Sequence, residues 1–459
     1  MRPLGPHPAL PHKGGGKTRV HLTGIGGAGV SALARVFLAR GEEVSGCDER
    51  ESATTRSLAA EGARISIGHH PSHAAGVELL VHTGAARGAA LEEVEAARVA
   101  GVRVLTRAEM LAELIAGYDS VAVAGTHGKT TVTFMVGHVL KAAGWDPTVL
   151  VGDGASSRVG HSRWLVAEAD ESDGSLALHR PLHGILTSVE FDHPDHFASI
   201  GEVEDLFREY LAAIPGVAAV CADYPRAAAL PVKGRRVTYG LSEEADYRCV
   251  PDEGEARLAP TFPAARFRIE RHGEPLVPLR LSVPGAHNRQ NATGALAMAV
   301  ELGVEPGVAA EALASFPGAH RRLERLGTWR GASIYDDYGH HPTKVRASLA
   351  AARELEPRRL VLVFQPHRFS RFQALRDEFA ESLRGADEVV VTEIYAAGEA
   401  NPGQVSGREL AELVPGARFV AELDGVRGLL RELLEEGDLL LLMGAGDVWK
   451  VADGLADGG

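Results

Sequence analysis

Three stretches of the chain carry residue types whose spacing could do chemistry. In VAVAGTHGKTTVTF (121–134), an apolar run ends at Gly125. Thr126, His127, Gly128, Lys129, Thr130 and Thr131 follow, and an apolar helical pattern begins. A strand, a glycine turn and a helix start make a phosphate cradle, because a helix N-terminus offers unpaired N–H groups and a partial positive charge. Lys129 would meet β- and γ-phosphates, and the Thr130 hydroxyl would ligate Mg²⁺. The strict pattern G-x-x-x-x-G-K-[ST] requires glycine at 123, where Val123 stands. The loop is therefore two residues short, with its backbone N–H groups at 126–130 expected to face one point.

The second stretch, RVHLTGIGGAGVSALARVFLARGEEVSGCD (19–48), places Gly24, Gly26 and Gly29 in G-x-G-x-x-G spacing, with Gly27 in the same turn and Asp48 closing the next strand. Such a turn suits a nucleotide-type ligand, and the acid suits a ribose. A tight structural turn would read the same way, and the motif does not name the nucleotide. The third set is acidic. AEADESD puts Glu168, Asp170, Glu171 and Asp173 at a strand exit, costly unless they share a cation. Residue type alone does not choose Glu168 over Glu171. EFDHPDHF adds Asp192, His193, Asp195 and His196. Two histidines with acids invite zinc, but no third ligand is placed with them. His193 could instead sit near Mg²⁺ or phosphate, although Mg²⁺ prefers oxygen.

These residues need a scaffold that brings strand ends together. Val30, Leu33, Ala34, Phe37 and Leu38 form one helical stripe; Val132, Met135, Val136, Val139, Leu140 and Ala143 form another. Apolar runs at 77–84, 102–106, 164–170, 183–189, 359–365, 388–394 and 438–444 read as buried strands between helices. This predicts parallel α/β sheets. The strand–helix module recurs three times, with hinges near 116–119 and 319–325. An antiparallel flank is expected within 232–283, and a helix over 287–303.

The chain has 459 residues, 45% hydrophobic and 24% charged, long enough for about three cores. Its formal net charge of -13 argues against a nucleic-acid partner. No apolar run is long enough for a membrane span. Three cysteines without a CxxC predict neither a disulfide framework nor a thiolate metal site, and fit a reducing cytoplasm. Residues 1–18 read as a disordered Pro-, Gly- and His-rich tail, whose GGGKT precedes a strand rather than following one.

In order, GTHGKTT, AEADESD, the DH of EFDH, PGAHNRQNA, DDYGHHP and FQPHRFSR resemble the Mur ligases of peptidoglycan synthesis, from about residue 19 to the end. The short loop GTHGKT is typical of that family. The resemblance implies three α/β domains, each on a mostly parallel sheet. These are an N-terminal Rossmann-like domain (19–117) for the UDP part of the substrate, a central P-loop ATPase (118–322), and a C-terminal Rossmann-like domain (323–459) that brings the amino acid. It implies ATP and Mg²⁺ as cofactors, and UDP-N-acetylmuramate, L-alanine and ATP as substrates. The sugar carboxylate would become an acyl phosphate, which the amine then attacks. By resemblance, Mg²⁺ is held through Thr130, Glu168 and His193. Asn288 and Asn291 lie near ATP, Arg322 reaches the γ-phosphate, and Asp337 contacts the ribose. His367, Arg368 and Arg371 face the amino acid and substrate. His340 and His341 read equally as helix-start histidines. Ser188 stands where the family has asparagine, and HTGAAR (82–87) replaces a Ser-Ser run. A recycling ligase that adds a tripeptide is the alternative within the family. A nicotinamide dehydrogenase using the 24–29 turn would leave GTHGKTT and AEADESD unexplained.

Overall fold

The structure is a computed structural model that describes residues 17–84, 86–152, 157–251 and 265–455. Most of the expected tail, part of the HTGAAR loop and part of the antiparallel flank lie outside the described residues. Two compact units are present: 1–189 with 204–247 and 294–312, and 190–203 with 248–293 and 313–459.

The first unit holds one parallel sheet and the parallel part of a second. One has five strands, in the order Arg64–Ile67, Glu43–Asp48, Arg19–Thr23, Leu79–His82, Arg103–Thr106. Its chain path reverses between Arg19–Thr23 and Leu79–His82, the kind of switch point where open α/β sheets bind ligands beyond the strand C-termini. The helix Ala28–Ala39 covers it with Val30, Leu33, Ala34 and Phe37, while Leu38 is only half-buried. The second sheet centres on Asp119–Ala124, flanked by Trp164–Glu168 and His183–Leu186, with Thr148–Leu150 outside the first and Val217–Cys221 and Arg235–Gly240 outside the second. Residues 120–124 are all buried, as a central parallel strand covered on both faces requires. The helix Lys129–Ala142 buries Val132, Met135, Val136, Val139 and Leu140, and Ala143 falls at its half-buried end.

The second unit contains the hairpin Ala265–Arg271/Glu274–Leu281, the antiparallel flank expected from sequence. Its main sheet runs Glu324–Trp329, Ala332–Asp337, Leu439–Met443, Leu360–Phe364, Glu388–Val391, Arg418–Phe419, and only the first pair is antiparallel. Leu439–Met443 and Leu360–Phe364 are wholly buried. Each Leu or Val there contributes roughly 1.5–3 kcal/mol of burial. The fold is α/β, with three mostly parallel sheets. The expected helix at 287–303 spans Ala286–Glu301.

Candidate active site

The loop after Asp119–Ala124 is built against the neighbouring strand end. Gly125 has φ 129°, and a Cβ there would lie 2.1 Å from Thr187 Oγ1 and 2.8 Å from the Ser188 amide nitrogen. Only glycine fits this close approach. Thr126 N–H donates to Ser188 O (3.1 Å) and His127 N–H to Ser188 Oγ (2.9 Å). Ser188 thus holds the loop through its own hydroxyl. These two amides are already engaged, so the expected convergence of N–H groups over 126–130 narrows to the first turn of Lys129–Ala142. The first amides of any helix lack an intrahelical acceptor. Gly128 opens that helix in the left-handed region (φ 82°), and Thr131 is buried in its first turn.

The acids divide between two sets of partners. Lys129 Nζ donates to Glu171 Oε2 (2.6 Å) and Gly125 O (2.8 Å), with Asp170 at 3.8 Å. Burial favours the neutral amine, but Glu171, Asp170 and Glu168 hold Lys129 protonated above its ordinary range. Burial pushes Glu171 up to about 7, while Lys129 draws it back. Glu168 is separate: it accepts from Thr130 Oγ1 (3.0 and 3.1 Å) and from Gly152 N–H (2.7 Å). A hydroxyl beside a fixed carboxylate offers two hard oxygen donors, which suits Mg²⁺.

Beyond the first sheet's C-terminal edge lies a cavity of about 640 Å³, lined by Gly24, Gly26, Gly27, Gly29, Asp48, Ser52 and Thr83, with Arg50 and Arg107. Asp48 Oδ2 accepts from Gly26 N–H at 2.8 Å, so the acid shapes the turn itself. A side chain at Gly29 would meet Arg107 Cδ at 2.7 Å. Arg107 also lines a second cavity of about 190 Å³ with Gly29, Gly152, Glu168, Asp170 and His179. The sequence reading missed Arg107 and Arg50. Arg107 follows the strand VRVLT directly, a strand-end position that could have flagged it.

In the second unit, His193 has φ 57°, a strained conformation of the kind that clusters at functional sites. Its N–H donates to Asp192 Oδ1 (2.7 Å). Asp192 pairs with Arg371 (2.7 Å) and Asp195 with Arg368, so guanidinium groups neutralise both acids and the zinc reading of DHPDH gains no support. Burial pushes Asp192 up, but Arg371 and His193 hold it well below the usual carboxylate range. Arg371 also reaches His367 Nδ1 (3.1 Å). Burial, then Arg371 and Arg368, lower His367 to about 4.

The tandem arginines differ. Both guanidinium groups lie over the Tyr338 ring, at 5.0 and 4.9 Å, but Arg321 is also tied to Asp336 (2.7 Å) and Gly444 O (2.8 Å). Asp337 accepts from Leu323 N–H (2.9 Å) and Gly339 N–H (2.7 Å). Asn288 donates to Pro284 O (2.7 Å), and Asn291 is buried nearby in the same helix. His341 caps Pro342–Arg353 by accepting from Thr343 N–H, the helix-start role, and His340 Nδ1 contacts Tyr338 O.

Three family models match in order: the Mur ligase family catalytic domain over 19–119, the Mur ligase middle domain over 123–299, and the Mur ligase glutamate ligase domain over 321–446. The chain is 41% identical to the UDP-N-acetylmuramate--L-alanine ligase of Solidesulfovibrio magneticus, over 94% of this chain and 96% of that one. It is also 41% identical to the ligase of that name from Sorangium cellulosum, over 95% of each. Among solved structures, UDP-N-acetylmuramate-alanine ligase MurC from Thermotoga maritima superposes with a TM-score of 0.77 at 29% identity, covering 95% of this chain and 98% of that one. Matched by family models in all three parts and by relatives along nearly its whole length, this chain belongs to the Mur ligase family.

Proposed function

We propose that this chain joins L-alanine to the carboxylate of UDP-N-acetylmuramate, with ATP hydrolysis, in peptidoglycan synthesis. The observation that carries this reading is 41% identity to ligases of that name over nearly the full chain. The site chemistry supports it. A carboxylate resists an amine because hydroxide would have to leave. Conversion to an acyl phosphate supplies phosphate as the leaving group, and the amine attack then gives the amide.

Lys129, charged and fixed at the mouth of the central strand, would stabilise charge on the transferred phosphoryl group. Thr130 and Glu168 would hold Mg²⁺, which when bound neutralises phosphate charge; His193 joins that set on the family likeness. The cavity beside Gly24–Gly29 would take the UDP part, with Arg50 and Arg107 facing its diphosphate. Arg107 and Glu168 share the adjoining cavity, which suits passage of the sugar carboxylate toward ATP. On the family likeness, Asn288, Asn291, Arg322 and Asp337 serve ATP, and His367, Arg368 and Arg371 serve the amino acid. Residues 19–117, 118–322 and 323–459 would carry the UDP, ATP and amino-acid functions in turn, and the enzyme would act in the cytoplasm.

The test is release of ADP and phosphate with a panel of amino acids. The reading requires turnover that needs both UDP-N-acetylmuramate and L-alanine. Turnover with a tripeptide but not with alanine would replace it with the recycling reaction.

A further inference from the structure

Away from the phosphate-binding residues, the first sheet buries a compact group of metal-ligand side chains. His21 and Thr23 on Arg19–Thr23 lie opposite Ser45 and Cys47 on Glu43–Asp48, so all four point to one face. That face is covered by the helix Ala89–Val99, which contributes Glu93, and by the short turn Pro71–Ala74, which contributes His73. The donor atoms of His21, Cys47, His73 and Glu93 all lie within 4.8 Å of one another. Cys47 and Glu93 are fully buried, and His21 nearly so.

The contacts around Glu93 are close. Its Oε1 lies 2.7 Å from His21 Nε2 and 3.6 Å from His73 Nδ1, and its Oε2 is 3.2 Å from Cys47 Sγ. His69 Nδ1 borders the group, 3.1 Å from Cys47 Sγ and 3.4 Å from Glu93 Oε2. Ser45 Oγ lies 3.3 Å from Val20 O and 2.9 Å from His21 Nδ1. With Nδ1–H donating to Ser45, the Nε2 lone pair would face Glu93. The 2.7 Å contact there lacks hydrogen-bond geometry. A proton on Nε2 or a cation beside the pair would satisfy this contact, and the further donors gathered around it suit the cation. A ligand histidine whose other nitrogen is held by an outer partner is the usual arrangement at metal sites.

We propose that His21, Cys47, His73 and Glu93 form a structural site for a thiophilic divalent cation of the zinc class. Two neutral imidazoles, a thiolate, a carboxylate and a divalent ion sum to zero charge, which suits a buried position. Four N, S and O donors with little access to solvent match a closed structural centre rather than a catalytic one. Zinc bonds of about 2.0–2.3 Å place tetrahedral donors roughly 3.3–3.8 Å apart, and most of these contacts already approach that spacing. The ion would pin two strands, one of them the strand that opens into Gly24, to the covering helix and the turn at 71–74.

The experiment uses the full chain, stripped with chelator and titrated with Co²⁺. The expected result is one equivalent bound with tetrahedral visible bands and a thiolate-to-cobalt charge-transfer band. That band disappears in Cys47→Ser, and Glu93→Gln or His73→Ala weakens binding by more than about tenfold, as loss of even outer-shell partners does at metal sites. Cobalt at an oxygen-lined magnesium site gives no thiolate band. A wild-type spectrum without that band overturns the proposal whether or not the variants fold, and so does a band that persists in Cys47→Ser.

Discussion

Lys129 and Glu171 form a buried ion pair, Nζ to Oε2 at 2.6 Å, with side chains 11% and 2% exposed. The pair holds an ammonium group in the phosphate loop before any nucleotide arrives. Removing one charge of a buried pair leaves the other uncompensated, typically a loss of 3–5 kcal/mol. Here Gly125 O and Asp170 still face the ammonium, so Glu171→Gln should cost less, roughly 1–3 kcal/mol. A bound triphosphate would supply the missing negative charge. Thermal unfolding with and without an ATP analogue should show the defect shrinking when the analogue is present; an unchanged defect would contradict this role.

Glu168 shares Thr130 rather than Lys129. Glu168→Gln should therefore raise the Mg²⁺ concentration needed for half-maximal turnover by more than about tenfold. Titration of activity with MgCl₂ reads this directly. An unaltered magnesium requirement would remove Glu168 from the metal set.

Arg371 and Arg368 lie three residues apart but in different surroundings. Arg371 is 2% exposed and bound to the buried Asp192, whereas Arg368 is 32% exposed beside Asp195 and Glu399. Arg371→Ala should cost about 3–5 kcal/mol in chemical denaturation. Arg368→Ala should cost less than about 1 kcal/mol, with its effect falling on the KM for alanine. Equal stability losses would show that burial does not separate the two.

Acidification should destabilise the protein between about pH 6.5 and 4. Burial lowers His179 to about 4, with Arg107 adding to it, and lowers His367 to the same range. A histidine with a depressed folded pKa contributes stability that is full above its unfolded value, near 6.5, and is lost as pH falls toward the folded value. Each is worth on the order of 3 kcal/mol at most. Glu171, raised to about 7, acts oppositely over much of this range and offsets part of the slope. Asp192, held low, loses its contribution only in stronger acid. Urea midpoints at several pH values should fall with pH, and His179→Gln should flatten the trend. A flat wild-type profile would contradict the buried neutral histidines.

The strand–turn–helix units were legible in the sequence because periodicity changes at each glycine turn, as at Gly24 and Gly125. Pairing choices were not. Glu168 ends its strand in register with Val123, while Glu171 lies three residues beyond it at the start of a turn, and residue type cannot separate them. Arg321 and Arg322 are adjacent and chemically identical and both lie over Tyr338, yet Arg321 is also locked to Asp336. The grouping of His21, Cys47, His73 and Glu93 was not legible either, because these side chains come from four elements and leave no spacing signature. The Ser188 departure proved locally consistent, since its hydroxyl accepts from His127 N–H.

The central claim is that Lys129 and its loop grip a nucleoside triphosphate. Lys129→Ala should retain its fold, because Glu171, already pushed up by burial, can take a proton and stay neutral. The decisive measurement is ligation rate together with calorimetric binding of a non-hydrolysable ATP analogue. The account predicts turnover down by at least about a thousandfold and analogue binding weakened by roughly ten- to a hundredfold. Near-normal turnover or binding in the folded variant would contradict it.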